Sequence, residues 1–308
     1  MLFAKKALGI EISQEGVKMA LVGGKRDLLS LDAYGAAPFP ADTVKFSLRE
    51  ANIHNPAAFV AGIRETYLKL LTSTVRASVS LPDSIGRVML MDLETRFKSK
   101  AEGADIIRWK LKKSFPFDIN EAHLDYQVLR ENDSGEISAL VSLISRQVLN
   151  QYEDLFAEAG LQPNRIDFTT FNLFNLFSKR LELAENAAVM ICYGEVISIM
   201  IFYGGTLEFY RTKDIPGGMI EANRVFREIS NSLLVYGDRH PGHSMQEVFC
   251  IAYNEDAEAF SAVVTEATGL EPVLLDVERI VARKNGFAAD RKTLHTLTAA
   301  LGAAIRNL

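Results

Sequence analysis

The chain has 308 residues, with 34 Lys+Arg against 39 Asp+Glu and a formal balance of −5. That length allows one large or two moderate domains, and mild acidity gives no reason to expect a nucleic-acid partner, whose usual footprint is a basic face. Apolar residues make up 48% of the chain with charges mixed among them, which suits a packed globular core and excludes a disordered one. No segment approaches the ~18 apolar residues that cross a bilayer. The longest apolar stretch, Val196 to Gly205, contains Ser198 and two glycines and reads as a strand. Glu11 follows Lys5 and Lys6 too soon for a signal-peptide core, so a cytoplasmic protein is expected. Cys192 and Cys250 fall inside apolar strand patterns and are expected as buried free thiols.

In chain order, Ala7 to Ile12, Val17 to Val22 and Leu28 to Tyr34 read as a β-meander with glycine turns. Phe59, Val60, Ile63, Tyr67, Leu70 and Leu71 recur at the helical period, with Asn55 as N-cap and Pro56 at the first helical position. Ala77 to Leu81 is a strand stopped by Pro82. Residues 85–163 then read as a self-contained β-α-β-β-α unit, a small sheet with both helices on one face. Its strands are Arg87 to Leu93, Ala122 to Arg130 and Ile137 to Ile144, and its helices run from Ser99 to Lys113, ended by Pro116, and from Gln147 to Ala159. A strand, Arg165 to Phe168, and a helix, Thr170 to Leu183, follow.

A second meander begins at Ala187, with strands Ala187 to Cys192, Val196 to Phe202 and Leu207 to Lys213. Gly217-Gly218 precedes a helix carrying Val225, Phe226, Ile229 and Leu233. Then come a polar loop, a strand from Val248, a helix from Asp256 to Thr268, a strand Val273 to Leu275 and a helix from Arg291 to Asn307. The repeated opening, a meander followed by alternating helices and strands, predicts two similar α/β lobes with a cleft between them.

Other constellations read as ordinary structure. His240-Pro241-Gly242-His243 has no Cys or acidic ligand at useful spacing and reads as a polar loop. Gly204-Gly205 is a hairpin turn, and no G-x-S-x-G occurs. Asp105, Asp118, Glu121 and Asp125 read as a solvated face, and Lys110 to Lys113 as a charged helix end. Trp109 lies off the apolar stripe of its helix, where it suits either packing or a partner surface.

Leu8-Gly9-Ile10-Glu11-Ile12-Ser13 with Val17-Lys18, Trp109-Lys110-Leu111 through Phe115-Pro116-Phe117, Leu124-Asp125-Tyr126-Gln127-Val128, Gly217-Gly218 with Glu228-Ile229 and Ser232-Leu233, and the final Ala299 to Arg306 occur in a distinctive order. Together they resemble the PilM family of type IV pilus assembly proteins, in the actin/FtsA/Hsp70 ATPase superfamily. The resemblance implies an α/β, two-lobed actin-like ATPase (ribonuclease H-like) fold with an inserted β-α-β-β-α subdomain. Residues 1–84 plus 164–184 would form the first lobe, 85–163 the insert and 185–308 the second lobe.

The departures from the family pattern bear on function. Glu11 and Ser13 stand where the first phosphate motif carries Asp and Gly. The Gly lets backbone N–H groups approach phosphate, and the Asp reaches hydrated Mg²⁺. Cys192-Tyr193-Gly194 replaces the acidic or amide residue of the second phosphate loop, and Ala252-Tyr253-Asn254-Glu255-Asp256 replaces a glycine-rich adenosine loop. The resemblance thus places a vestigial nucleotide cleft at Glu11, Ser13, Lys18, Gly194, Gly217 and Gly218, with no catalytic or metal residue assigned.

The implied function is a cytoplasmic scaffold of a type IV pilus or related inner-membrane assembly complex, in which nucleotide binding is weak or lost. Its implied partner is the cytoplasmic N-terminal peptide of a PilN-like membrane protein, held between the first lobe and the insert near Arg87 to Leu93, through sheet-edge hydrogen bonds and side-chain pockets. The membrane would be reached only through that partner, and homo-oligomerisation stays open. No cofactor is expected on this reading. The alternatives are a working ATPase binding ATP and Mg through Lys18, Gly194, Gly217 and Gly218, and the actin-like component of a type II secretion or haemagglutinin-type pilus system.

Overall fold

The computed structural model describes residues 6–25, 28–113, 118–253, 255–282 and 289–308. Lys5, Phe115, Pro116, Phe117 and Asn254, used in the sequence reading, lie outside the described residues.

Strands β1 (Ala7–Ile12), β2 (Gly16–Lys25) and β3 (Leu28–Pro38) form the first meander. Every residue of β1 is buried, as a strand covered on both faces requires. Helix α1 (Pro56–Lys69) starts where the Asn55 side chain accepts the Ala58 N–H at 3.1 Å. Pro56 sits in the first turn, where an N–H would lack a helical partner in any case. The helix buries Phe59, Val60 and Ile63 against the meander. Strand β4 (Arg76–Leu81) then runs parallel to β1.

The insert begins with β5 (Gly86–Leu93), α2 (Lys100–Leu111), β6 (Ala122–Glu131) and β7 (Ile137–Ser145). Its strands make an antiparallel sheet of three in the order β5-β7-β6. Ile107 and Leu111 of α2 pack on Ala139, Val141 and Leu143, closing one face of this sheet.

Helix α3 (Arg146–Glu158) and strand β8 (Gln162–Phe168) follow, then α4 (Thr169–Leu176) and α5 (Ser178–Leu181). The expected single helix to Leu183 breaks at Phe177. Helix α3 was expected on the insert sheet; it packs instead in the first lobe. Val148, Tyr152 and Phe156 join the core around Phe59 and Ile63. The Phe59 ring meets Tyr152 and Phe156 edge-on, with centroids 6.1 and 5.8 Å apart. The Gln151 side chain accepts the Asn52 and Ile53 N–H groups at 2.8 and 2.9 Å, pinning α3 to the loop before α1. An aromatic stripe of this bulk is accommodated between α1 and the large sheet, while α2 already fills the insert's own core.

The second meander is β9 (Ala187–Tyr193), β10 (Val196–Tyr203) and β11 (Thr206–Asp214). With α6 (Ala222–Arg239), β12 (Glu247–Ala252), α7 (Ala257–Thr268) and β13 (Val273–Leu274) it builds a sheet of five in the order β11-β10-β9-β12-β13. The chain then returns to the first lobe through β14 (Val281–Ala282), α8 (Arg291–Thr296) and α9 (Thr298–Ala304). Strand β14 completes a sheet of six, ordered β14-β3-β2-β1-β4-β8.

Helix α9 lies against β1 at backbone distance. A Cβ on Gly9 would stand 1.9 Å from the Ala300 carbonyl oxygen, and one on Gly302 would stand 2.1 Å from that of Asn172. Leu173 of α4 and Leu301 of α9 share a continuous core with Val22 and Leu31 of the first sheet and Val189 and Ile251 of the second. The division expected from sequence therefore shifts at two places. Helix α3 leaves the insert for the first lobe, and the chain from β14 onward completes the first lobe, because β1 needs cover on its second face.

Candidate functional site

Of the six residues singled out from sequence, Glu11 meets Lys18 and Gly194 meets Gly218, and Tyr193 joins the two lobes between these pairs. Glu11 ends β1 with only 4% of its surface exposed. Lys18 of β2 stands opposite it in register, with Nζ 3.6 Å from Oε1. From the other lobe, Tyr193 at the end of β9 donates its hydroxyl to Glu11 Oε2 at 3.2 Å. The Tyr193 ring stacks on Tyr253, with centroids 4.3 Å apart, and Lys18 Nζ lies 5.8 Å from the Tyr253 centroid. Burial pushes the Glu11 carboxyl above the usual range, while the Lys18 charge and the two side-chain hydrogen bonds pull it back. Burial beside Glu11 drives the Tyr193 phenol well up, so it stays a donor.

The loop residues are likewise engaged. Ser13 Oγ donates to the Gly16 carbonyl and accepts the Gly16 N–H, both at 3.2 Å, closing the β1–β2 turn on itself. Gly218, at φ +53°, packs on Gly194: a Cβ there would meet the Gly194 carbonyl oxygen at 2.7 Å. Gly217, at φ +89°, gives its N–H to the Glu195 carboxylate at 2.8 Å. A side-chain anion of the protein thus sits on an amide that a glycine loop would otherwise offer to phosphate. The Cys192 thiol is pushed up to about 12 by burial, with the Asp256 charge adding to it. It stays protonated and is no ligand for a hard cation. Glu255 pairs with Lys292 at 2.9 Å.

Sequence reading named Tyr193 and Tyr253 only as members of two departing motifs and gave neither a role. Their stacking needs the two phosphate- and adenosine-loop equivalents side by side, which only β9 beside β12 provides.

A second concavity, about 690 Å³, opens where the insert faces both lobes. The uncovered face of the insert sheet supplies Gln127, Leu129, Leu140 and Ser142. The first lobe supplies Asn164 to Phe168 of β8, and the second lobe Phe202 and Leu207. Of the Arg87 to Leu93 strand only Val88 lines it. Strand β8 ends the order of the large sheet: one edge pairs with β4, and among the described residues no strand pairs with the other. Arg306 holds Asp167 at 3.1 Å on this wall.

Trp109 is 79% exposed on α2. His240 and His243, read from sequence as lacking an acidic neighbour, meet one through the fold: both reach the Glu208 carboxylate of β11. Both cysteines are buried and free. Among the described residues no helix is long and apolar enough to cross a membrane.

Comparison with known proteins adds family and fold. The family model described as type IV pilus assembly protein PilM matches residues 9–231. Among solved structures, a PilM-PilN type IV pilus biogenesis complex superposes with a TM-score of 0.83 at 17% identity, covering 99% of each chain. A Bacteroides thetaiotaomicron protein with an actin-like ATPase fold gives a TM-score of 0.52 at 13% identity, over 88% of this chain and 91% of that one. The cytoplasmic domain of EpsL, an inner-membrane component of the Vibrio cholerae type II secretion system, gives 0.52 at 11% identity, over 96% and 94%. No curated protein matches the sequence. The two-lobed actin-like ATPase fold is the architecture these chains share.

Proposed function

The chain belongs to the type IV pilus assembly protein PilM family, and from that premise we propose that it is a cytoplasmic scaffold of a pilus or related inner-membrane assembly complex. Its task on this reading is to hold the cytoplasmic N-terminal peptide of a PilN-like membrane protein, which tethers it to the membrane. The observation that carries the proposal is the contrast between an open groove at the insert and a cleft between the lobes filled by its own side chains.

The groove suits an extended peptide on chemical grounds. Strand β8 is terminal in its sheet, and main-chain pairing along such an edge gives affinity without catalytic residues. Leu129, Leu140 and Phe202 offer apolar contacts, while Gln127 and Asp167 can fix orientation. The solved complex in which a PilM accompanies a PilN supports this choice of partner.

Nucleotide binding is weak or lost on this reading, because the residues present do not fit ATP and Mg. Mg²⁺ needs oxygen ligands at short, near-octahedral distances. Glu11 is committed to Lys18 and Tyr193, and the Gly217 amide to Glu195.

The test is fluorescence anisotropy with a labelled N-terminal peptide of the cognate membrane partner. Ser142→Trp, which fills the groove floor, should weaken binding by on the order of 100-fold, as blocking a central pocket does. Unchanged affinity in that variant would remove the groove from the partner site.

A further inference from the structure

Glu208, His240 and His243 stand outside both the interlobe cleft and the peptide groove. The Glu208 side chain is 5% exposed. His243 Nδ1 lies 2.8 Å and His240 Nδ1 3.5 Å from the same carboxylate oxygen, Oε2. The three ligand-type atoms all lie within 4.8 Å of one another. We propose that these residues form a binding site for a zinc-class divalent ion, at the junction between the insert and the second lobe.

The geometry carries this in three ways. First, the rings are aimed. The turn at Pro241-Gly242, with Gly242 at φ +90°, closes by a bond from the His243 N–H to the His240 carbonyl at 3.1 Å and brings both Nδ1 atoms to one side. Second, the rings are held. Tyr203 lies parallel to His243 with centroids 3.6 Å apart, and Tyr236 stacks on His240 at 4.8 Å. Third, the carboxylate is divided between two tasks. Oε1 faces Arg130 of β6 at 3.5 Å, and Oε2 takes the Tyr236 hydroxyl at 3.3 Å and faces the imidazoles.

Two neutral imidazoles and one carboxylate oxygen are the nitrogen and oxygen donors zinc favours, and three such ligands leave a fourth position for water. Zinc–ligand bonds of about 2.0–2.2 Å put neighbouring ligand atoms roughly 3.3–3.5 Å apart, so atoms now within 4.8 Å of one another draw closer as the ion binds. Binding requires each Nδ1 to present its lone pair and the ring proton to move to Nε2. Arg130 and Tyr236 would then orient the ligating carboxylate from behind, a role that tunes affinity rather than creating it.

The experiment uses the full chain, tag-free and stripped with chelator, titrated with Zn²⁺ against a chromophoric competitor at neutral pH, with Co²⁺ as the spectroscopic probe. One equivalent is expected per chain. His240→Asn, His243→Gln and Glu208→Gln should each weaken binding by about 100-fold or more, and Arg130→Gln by no more than about 10–100-fold. Circular dichroism of each metal-free variant checks the fold. Should a variant fail to fold, wild-type NMR decides instead: of the five histidines, the ring signals of His240 and His243 should move with one equivalent of Zn²⁺. The proposal is overturned by no uptake at micromolar free zinc, by a full equivalent retained in the His240→Asn/His243→Gln double variant, by zinc that leaves both ring signals in place, or by cobalt bands of thiolate ligation, which would put the metal on a cysteine.

Discussion

The cleft between the lobes and the groove beside the insert are built from the same two large sheets, and they differ in what fills them. At the cleft, β1 and β9 bring a carboxylate, an ammonium and two phenol rings into mutual contact. At the groove, β8 and the insert sheet leave about 690 Å³ between them. A site that satisfies its own polar groups gives a ligand little to replace. A site with an unpaired strand edge and mixed lining has much to offer one. On the proposed reading, that difference puts recognition at the strand edge rather than in the cleft between the lobes.

The largest effect should come from emptying the cleft. Tyr193→Ala with Tyr253→Ala removes both stacked rings and leaves Glu11 with Lys18 alone. Each truncation should cost ~3–5 kcal/mol in urea denaturation, so the pair would bring a typical domain near its stability limit. A combined loss below ~1 kcal/mol would mean that the rings do not seal the cleft.

Next comes Asp83, at the neck between β4 and the insert. Its carboxylate accepts the Thr170 N–H at 3.1 Å. Burial raises its pKa from 3.8 to about 6, with the Asp214 charge pushing the same way. The folded state therefore binds this proton more tightly than the unfolded one. The stability so gained is complete below pH 3.8 and is lost as pH rises through about 6. The gap corresponds to ~3 kcal/mol. Asp83→Asn should flatten this part of the profile, so that wild type falls relative to the variant between pH 4 and about 7. Parallel profiles would mean that the neck tolerates the charge.

The groove should respond in the opposite sense to the cleft. Ser142→Trp, placed on an open sheet face, should change stability by no more than ~0.5 kcal/mol while reducing partner binding. A large loss of stability there would mean that the groove wall is a packed core.

The smallest expected effect is none. Ser13→Gly removes a Cβ from the first loop but leaves Tyr193 on Glu11 and Glu195 on Gly217. A phosphate-release assay should show no Mg²⁺-dependent ATP turnover in wild type or variant, and Mg·ATP should not raise the thermal midpoint of either. Turnover or a clear upward shift would make the protein a working ATPase.

Much of this was legible in the sequence. Both meanders followed from apolar runs cut by glycine turns, and α1 from Asn55-Pro56 and its stripe. The six residues assigned to a vestigial cleft came from motif order; the fold brings Glu11 to Lys18 and Gly194 to Gly218. Destinations were not legible. The stripe of α3 announces a helix, but not that Tyr152 and Phe156 pack on Phe59 rather than on the insert sheet. Likewise Ala299 to Ala304 read as a helix, while its place against Gly9 depends on a strand at the other end of the chain. The His240 and His243 pair looked bare because its carboxylate comes from β11, on the far side of α6 in sequence. Local periodicity reports which face of an element is apolar. It does not report which neighbour covers it.

The contact between Gly9 and Ala300 also constrains the order of events during synthesis. Strand β1 has one face ready for α1 soon after both are made, yet its other face waits for residues 298–304. Until they emerge, Ala7, Ala20 and Val22 have no helix to lie under. Domains commonly fold as they are made, N-terminal part first. Here the first lobe would be completed late, because Gly9 and Ala300 meet across a very long loop, and such long-range pairing is slow. The insert and the second meander, whose strands pair locally, should consolidate earlier. The nascent protein would therefore carry an unfinished sheet from β1 until α9 is made, and a chaperone holding that face would have its longest task at β1.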